Sequence, residues 1–260
     1  MSNDILFDVS DGIARLTLNR PEKKNAMSFS MLGEFIDILS KIGKDNSVRV
    51  LIIQGSQGAF CAGTDLSDLD SIPGDDRGLR GSASDHDRWW PIVECPVPVI
   101  AAIDGPAVGM GAEFTSQCDI RIATPNARFS WNFSHRGLVP DTGAGSWILP
   151  RLIGPGQALK LLYTGEFISA EDALDLGYVH EIVQSEELQK AALDMAIAIG
   201  KGSSFSHKRI KNLVFQGLGS DVDEHMERHT KALTECFKSK DHEEGVKSFL
   251  ERRAPNFIGE

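Results

Sequence analysis

The chain has 260 residues, 41% of them hydrophobic, enough for a full core in one large unit or one unit with a small helical appendage. Its formal net charge of −10, from 27 basic and 37 acidic residues, speaks against a broad nucleic-acid or anionic-membrane surface, so a small anionic ligand needs local basic residues. No apolar run reaches the length of a membrane span, and residues 1–20 lack the basic-then-apolar order of an export signal. Cys61, Cys95, Cys118 and Cys236 show no CxxC spacing, so reduced, mostly buried thiols are expected in a cytoplasmic protein without a metal.

Residues 5–9 and 13–18 are β-type runs separated by Ser10-Asp11-Gly12, a hairpin signature. The chain turns at Asn19-Arg20-Pro21, and NRPEKKNAMS (19–28) stays polar until Ala26. Ser28 can then cap a helix in which Met31, Leu32, Phe35, Ile36 and Leu39 recur at helical spacing. Lys23 and Lys24 suit phosphate contact, or form an ordinary solvated surface.

Residues 48–54 read as a strand buried on both faces, broken only by Arg49 and ending at Gly55-Ser56-Gln57-Gly58. AFCAGTDLSDL follows, with a turn at Gly63 and a helix start at Asp65. Residues 67–88, rich in Asp, Gly and Ser, are expected to be exposed and mobile, as a lid or as plain slack. Trp89, Trp90, Ile92 and Val93 restore an apolar helix face, read as core rather than pocket lining, before the Pro96–Pro98 break.

The stretch AAIDGPAVGMGAEFTSQCD (101–119) repeats the order of apolar strand, glycine turn and helix start. Glycines at 105, 109 and 111 allow positive φ and close backbone approach, and the first amides of the following helix lack intrahelical partners. If the two units stack, amides near Thr64 and Met110 converge on one oxygen and stabilise an enolate or tetrahedral oxyanion; otherwise they are two ordinary strand-to-helix turns. Glu113, one turn into the helix, offers a carboxylate for proton transfer.

Two short β-type runs, 120–123 and 128–131, precede FSHRGLVPDTGAGSWILPRLIG. Asp141 in this loop is either a helix cap or a second acid/base group, and His135 is expected to be a hydrogen-bonded structural residue. From residue 154 onward helices dominate: 155–163, a capped short helix from Ser169, then 186–199, 208–216, 223–238 and 243–251, with a strand at 179–183. The last two helices are amphipathic, and their apolar stripes need a surface to cover.

NRPEKKNAM, GAFCAGTDL, the 99–119 stretch, GLVPDTGAG and EGVKSFLERRAPNF occur in one order across nearly the whole chain. Together they resemble the enoyl-CoA hydratase/isomerase (crotonase) superfamily. The resemblance implies an α/β fold: a crotonase-like spiral of ββα repeats over residues 1–200, carrying the CoA and acyl site, and a C-terminal helical trimerisation region over 201–260. It also implies an acyl-CoA substrate, no separate cofactor because coenzyme A belongs to the substrate, and a homotrimer or dimer of trimers. Carried across by position, the oxyanion-hole amides fall on Thr64 and Met110 and the catalytic carboxylates on Glu113 and Asp141. Coenzyme A would meet Lys23, Lys24, Asn25, Ala26, Ala62 and Leu66, while Trp131 and Phe133 would wall the acyl pocket or simply fill the core.

Three positions depart from the pattern. Thr64 and Met110 stand where alanine and glycine are common, a change that a backbone donor tolerates. Phe133 occupies the position of the second hydratase glutamate, four residues before Gly137, and cannot transfer a proton. Asp141 matches an acidic position used by several isomerases, although some hydratases also carry an aspartate there. The resemblance therefore leans toward double-bond isomerisation. Water addition by Glu113 with Asp141 is the alternative, and a non-catalytic acyl-CoA- or RNA-binding member is the reading from another class, its RNA version opposed by the acidic charge.

Overall fold

The computed structural model describes residues 3–70 and 90–260, so most of the segment expected to be a lid or slack, and Trp89, lie outside the described residues. Strands β1 (Ile5–Ser10) and β2 (Ile13–Leu18) form the expected antiparallel hairpin. Asp11 and Gly12 close it with φ of 51° and 76°, the two positive values that match a tight turn to the twist of its strands.

Beyond the hairpin, long strands lead into short extended pieces and then into helices. β2 leads through Met27 into α1 (Phe29–Lys44), where the Ser28 hydroxyl accepts from the Met31 N–H. β3 (Val50–Gly55) leads through Cys61 and Thr64 into α2 (Leu66–Asp70). After α3 (Pro91–Glu94), β4 (Val99–Ile103) leads through β5 (Pro106–Val108) into α4 (Met110–Gln117). β6 (Ile120–Ala123) leads into β7 (Arg128–Ser130).

The long strands form one sheet and the short pieces a second layer. With β9 (Glu181–Ile182), the six-stranded sheet runs β1-β2-β3-β4-β6-β9, parallel after the hairpin. With β8 (Ile168–Ser169), the smaller sheet runs β5-β7-β8, and bridges from Met27 to Thr64 and from Cys61 to Ala107 extend its stacking. This is a spiral of ββα units.

Both faces of the large sheet are covered, which accounts for the continuous apolar runs in β3 and β4. On one face, Leu16, Leu51, Ile53, Ala101 and Ile103 pack with α1 and α4, where Phe35 stacks on Phe114 at 5.0 Å. On the other, Ile52, Ile100 and Ile122 meet Leu188, Ala192 and Ala196 of α9 (Leu188–Gly200). In chain order α9 is preceded by α5 (Ala144–Trp147), α6 (Leu149–Ile153), α7 (Pro155–Thr164) and α8 (Ala170–Asp175), the last begun by a reciprocal Ser169–Asp172 cap.

The C-terminal helices are α10 (Ser204–Gly217), α11 (Val222–Phe237) and α12 (Lys240–Leu250). α10 begins earlier than its apolar periodicity suggests because the Ser203 hydroxyl caps it. The expected strand at 179–183 shrinks to two residues, since only Glu181 and Ile182 reach the edge of β6. α11 has no buried residue, and Val222, Met226, Phe237, Phe249 and Leu250 leave an apolar face uncovered in the single chain.

α10 is fastened to the spiral by a buried cation. Lys211 Nζ donates to the carbonyls of Ile92 (3.0 Å) and Val97 (3.2 Å) and to Asp119 Oδ2 (2.9 Å), which also accepts from the Val99 N–H. Removing the ammonium leaves buried acceptors unmatched. Lys211→Met is expected to lower unfolding free energy by about 2–3 kcal/mol, measured by urea denaturation, the range reflecting the partial exposure of Asp119.

Candidate active site

Two turns of the spiral meet at residues 61–64 and 109–111. In the bridge to Met27, the Met27 N–H donates to Gly63 O (2.8 Å) and the Asp65 N–H donates to Met27 O (2.9 Å). Thr64, between them on an extended chain, turns its own N–H to the opposite side. Gly109 has φ of 55° and opens α4, so the Met110 N–H is one of the amides that a helix start leaves without an intrahelical acceptor.

The turns lie too close for side chains between them. A Cβ on Gly111 would stand 2.2 Å from Cys61 O, and one on Gly63 would stand 2.9 Å from Val108 O and 3.7 Å from Met110 N. Thr64 Oγ1 lies 4.0 Å from Met110 Sδ. The structure thus brings Thr64 and Met110 together as successive layers, the arrangement expected if the two units stack.

Glu113, fully buried on the first turn of α4, points into the loop before α5. Its Oε2 accepts from the Thr142 N–H (2.9 Å) and its Oε1 from the Gly145 N–H (2.8 Å). Burial pushes its pKa well above the ordinary carboxyl value, and the Asp141 carboxyl beside it pushes the same way. The two amides oppose this shift without cancelling it. Glu113, away from water and beside a second carboxyl, is driven to keep its proton.

Asp141 is half-buried, and its Oδ2 lies 3.4 Å from Thr64 Oγ1. The capping alternative fails. Gly143 occupies the N-cap of α5 without a side-chain bond, and Thr142 Oγ1, not Asp141, accepts from the Ala144 N–H (3.2 Å). Thr64, Met110, Glu113 and Asp141 therefore form one cluster, with Asp141 on its open side.

Other expected site residues divide. Lys23 and Lys24 are exposed on the 3-10 turn before α1, the Ala62 N–H donates to Lys24 O (3.0 Å), Ala26 is half-buried, and Leu66 is exposed. The Asn25 side chain has no group left for a ligand. Its fully buried Nδ2 donates to the carbonyls of Ser56 (2.9 Å) and Ala59 (2.7 Å), and its Oδ1 accepts from Arg20 N (2.9 Å) and Ser56 Oγ (3.2 Å). Asn25 thus shapes the loop from within. Trp131 is likewise a core residue, fully buried edge-on to Tyr178 at 5.2 Å. Phe133 alone of that pair borders the cluster, its ring end 3.9 Å from where a Cβ on Gly109 would stand. His135 is exposed on a 3-10 turn, not held as a structural residue.

Sequence reasoning missed the amides of Thr142 and Gly145 and the Trp90 indole, which donates to Thr142 O (2.9 Å). A signal was present in TGAG. A Cβ on Gly145 would stand 3.3 Å from Glu113 Oε1 and 3.0 Å from Pro140 Cβ, so the glycine marks where a carboxylate crosses a backbone. Among the described residues no helix is long and apolar enough to cross a membrane, and no group of three or more His, Cys, Asp or Glu side chains could hold a metal ion.

A ββα spiral with two amides and two carboxyls at one pair of turns defines an enzyme class, and the sequence profile of the enoyl-CoA hydratase/isomerase family matches residues 8–260: the chain belongs to that family, within the crotonase superfamily of enzymes. It is 33% identical to a 1,2-epoxyphenylacetyl-CoA isomerase of Escherichia coli over 100% of both chains. It is 34% identical to a crotonyl-CoA hydratase of Syntrophomonas wolfei over 98% of each, and 31% identical to a trans-2-decenoyl-(acyl-carrier-protein) isomerase of Streptococcus mutans over 98% of each. Its fold superposes on an enoyl-CoA hydratase from Bacillus anthracis with a TM-score of 0.90 and 31% identity, covering 99% of this chain and 100% of the other. Hydratases and isomerases thus both stand among its relatives.

The tight approach of the turns gives a paired expectation. Gly111→Ala must separate Cys61 from α4 and is expected to cost at least about 2 kcal/mol. Gly33→Ala, on α1 with nothing within 4 Å of its Cβ, should stabilise by up to about 1 kcal/mol. Thermal unfolding of the two variants beside the parent checks both signs.

Proposed function

We propose that the protein moves a carbon–carbon double bond within an acyl-CoA thioester, with Asp141 as the proton shuttle. The observation that carries this is the unequal placement of the carboxyls: Glu113 is fully buried behind two amides and Asp141, while Asp141 is half-exposed beside Thr64. Addition of water calls for two carboxylates that both reach the same water. Here one is enclosed, and the position of the second hydratase glutamate is filled by Phe133, only 7% exposed.

The chemistry follows from that asymmetry. For a 3-enoyl-CoA, the Asp141 carboxylate takes a proton from C2, and the C–H electron pair enters the conjugated thioester enolate. The negative oxygen is held by the Thr64 and Met110 amides, a contribution on the order of 3 kcal/mol per donor. Asp141 then returns the proton to C4, leaving the double bond between C2 and C3. Glu113, protonated, donates to Asp141 and steadies its charge before and after transfer.

Lys23 and Lys24, with Ala62 and Leu66, would receive the adenosine end of coenzyme A; the exposure of both lysines and of Leu66, and the bond from the Ala62 N–H to Lys24 O, support this. The uncovered apolar face of α11 and α12 supports a homotrimer or dimer of trimers. The 34% identity to a crotonyl-CoA hydratase favours water addition as a second reading.

The test follows conjugated thioester absorbance with a 3-enoyl-CoA and with crotonyl-CoA. Conjugation should appear from the former, and Asp141→Asn should slow it on the order of 10²- to 10⁴-fold. Loss of conjugation from crotonyl-CoA with no gain from the 3-enoyl substrate would establish the hydratase reading. The pH–rate profile should be bell-shaped. Rate falls on the acid side as the carboxyl pair gains a second proton, and on the alkaline side as Glu113 loses the proton that its raised pKa retains. Glu113→Gln should remove the alkaline limb and keep the acid one.

A further inference from the structure

The Met110 amide is fixed by the start of α4, whereas Thr64 belongs to an isolated bridge outside any strand. A guanidinium stands behind that bridge. Arg20 Nη1 donates to Ala26 O (2.7 Å), and the Met27 N–H, on the same peptide, donates to Gly63 O (2.8 Å). The carbonyl of Gly63 in turn shares its peptide with the Thr64 N–H. In a trans peptide the carbonyl and the N–H point in opposite directions, so the three donors follow one another toward the proposed acyl oxygen. We propose that Arg20 is a positioning residue that orients and polarises the Thr64 N–H through these two peptides, without touching substrate. The proposal rests on the Thr64 amide as an oxyanion donor in the reading above.

Arg20 is held from both ends. Its N–H donates to Asn25 Oδ1 (2.9 Å) and its carbonyl accepts from the Asn25 N–H (2.8 Å), so the fully buried Asn25 fixes the backbone from which the guanidinium extends. At the other end Nη2 donates to Asp65 Oδ2 (3.0 Å), while Asp65 Oδ1 accepts from the Ser67 hydroxyl (2.6 Å) and N–H (3.1 Å). The Ser67 donors, with Arg20, draw the Asp65 pKa down to about 2 against the effect of burial, so the pair stays charged. Asp4 Oδ2 stands farther off, 4.0 Å from Nε. Asp65 also returns the bridge, its N–H donating to Met27 O (2.9 Å), so both sides of Thr64 answer to the same guanidinium. A charged donor at the head of a hydrogen-bonded chain strengthens each bond after it. The direction of a donor matters as much, since a small misplacement forfeits much of its effect on a transition state.

Acetoacetyl-CoA reads the amide directly. Its C2–H bond breaks, the proton passes to buffer, and the electron pair spreads over the oxygens as an enolate with its own near-ultraviolet absorbance. At saturation and fixed pH, Arg20→Met should lower the enolate-to-keto ratio of the bound ligand about tenfold, and kcat with a 3-enoyl-CoA by a similar factor. Arg20→Gln, which serves if the methionine variant does not fold, should lower both about fivefold, and Arg20→Lys, which keeps a charged donor for Ala26 O, less than about threefold. KM and the affinity for free coenzyme A should change less than about twofold. A ratio unmoved in the neutral variants, a lysine variant no better than they are, or a loss of coenzyme A affinity as large as the loss of rate would overturn the proposal.

The same titration separates this role from the reading beneath it. If the parent binds acetoacetyl-CoA with no more enolate than in water, the oxyanion reading of Thr64 fails and the role of Arg20 fails with it. If enolate is enriched and follows the Arg20 series but no 3-enoyl-CoA is isomerised, the reaction assignment fails and the role of Arg20 stands. Enrichment indifferent to Arg20 overturns this proposal alone.

Discussion

The structure depends on two backbone turns that touch with no side chain between them. Gly111 faces Cys61 O where a methyl group would stand at 2.2 Å, and Gly105 faces Gly58 O where one would stand at 2.0 Å. These contacts set the spacing of successive spiral layers, so the distance between Thr64 and Met110 is fixed by backbone rather than by adjustable side chains. On the proposed reading the two amides act on one oxygen, and groups that do so must be held to fractions of an ångström. Glycine at these positions supplies that tolerance by removing the atoms that would vary.

The same layering decides the protonation of the carboxyl pair. α4 starts at the contact and carries Glu113 straight into the protein, where no water can solvate a charge. The Thr142 and Gly145 amides satisfy both of its oxygens as acceptors, and the neighbouring Asp141 carboxyl favours its neutral form. Holding Glu113 neutral is cheaper than burying two adjacent negative charges. The enclosed acid thus holds its proton, while Asp141 stays half-exposed beside Thr64.

Much of this was legible in the sequence, and for local reasons. The hairpin at Asp11-Gly12, the Ser28 and Ser169 caps, and the strand–turn–helix units around Gly63 and Gly109 are each written within a few residues, where backbone sterics and capping decide the outcome. Asn25, Trp131 and Asp141 were harder because each has its meaning through partners distant in sequence. Asn25 bonds to Ser56 and Ala59, Trp131 meets Tyr178, and Asp141 meets Thr64 and Glu113. Asp141 in particular has the composition of a helix cap, and only the position of Gly143 and the Thr142 hydroxyl takes that role away.

The C-terminal helices bear on the same site through a relay of hydrogen bonds. Lys211 of α10 holds the carbonyl of Ile92, and α3, which contains Ile92, is immediately preceded by Trp90. The Trp90 indole holds the carbonyl of Thr142, whose N–H binds Glu113. Trp90 also packs with Ala144 and Ile148, against Phe215 of α10, so apolar contact and hydrogen bonds press the loop in the same direction. A buried carboxyl is satisfied only while both of its amides keep their geometry, because one misplaced N–H leaves an acceptor without solvent or partner. The placement of Glu113 is thus a property of the whole chain: its proton is set by α4 and Asp141, and its amides are held in register by an element almost a hundred residues further on.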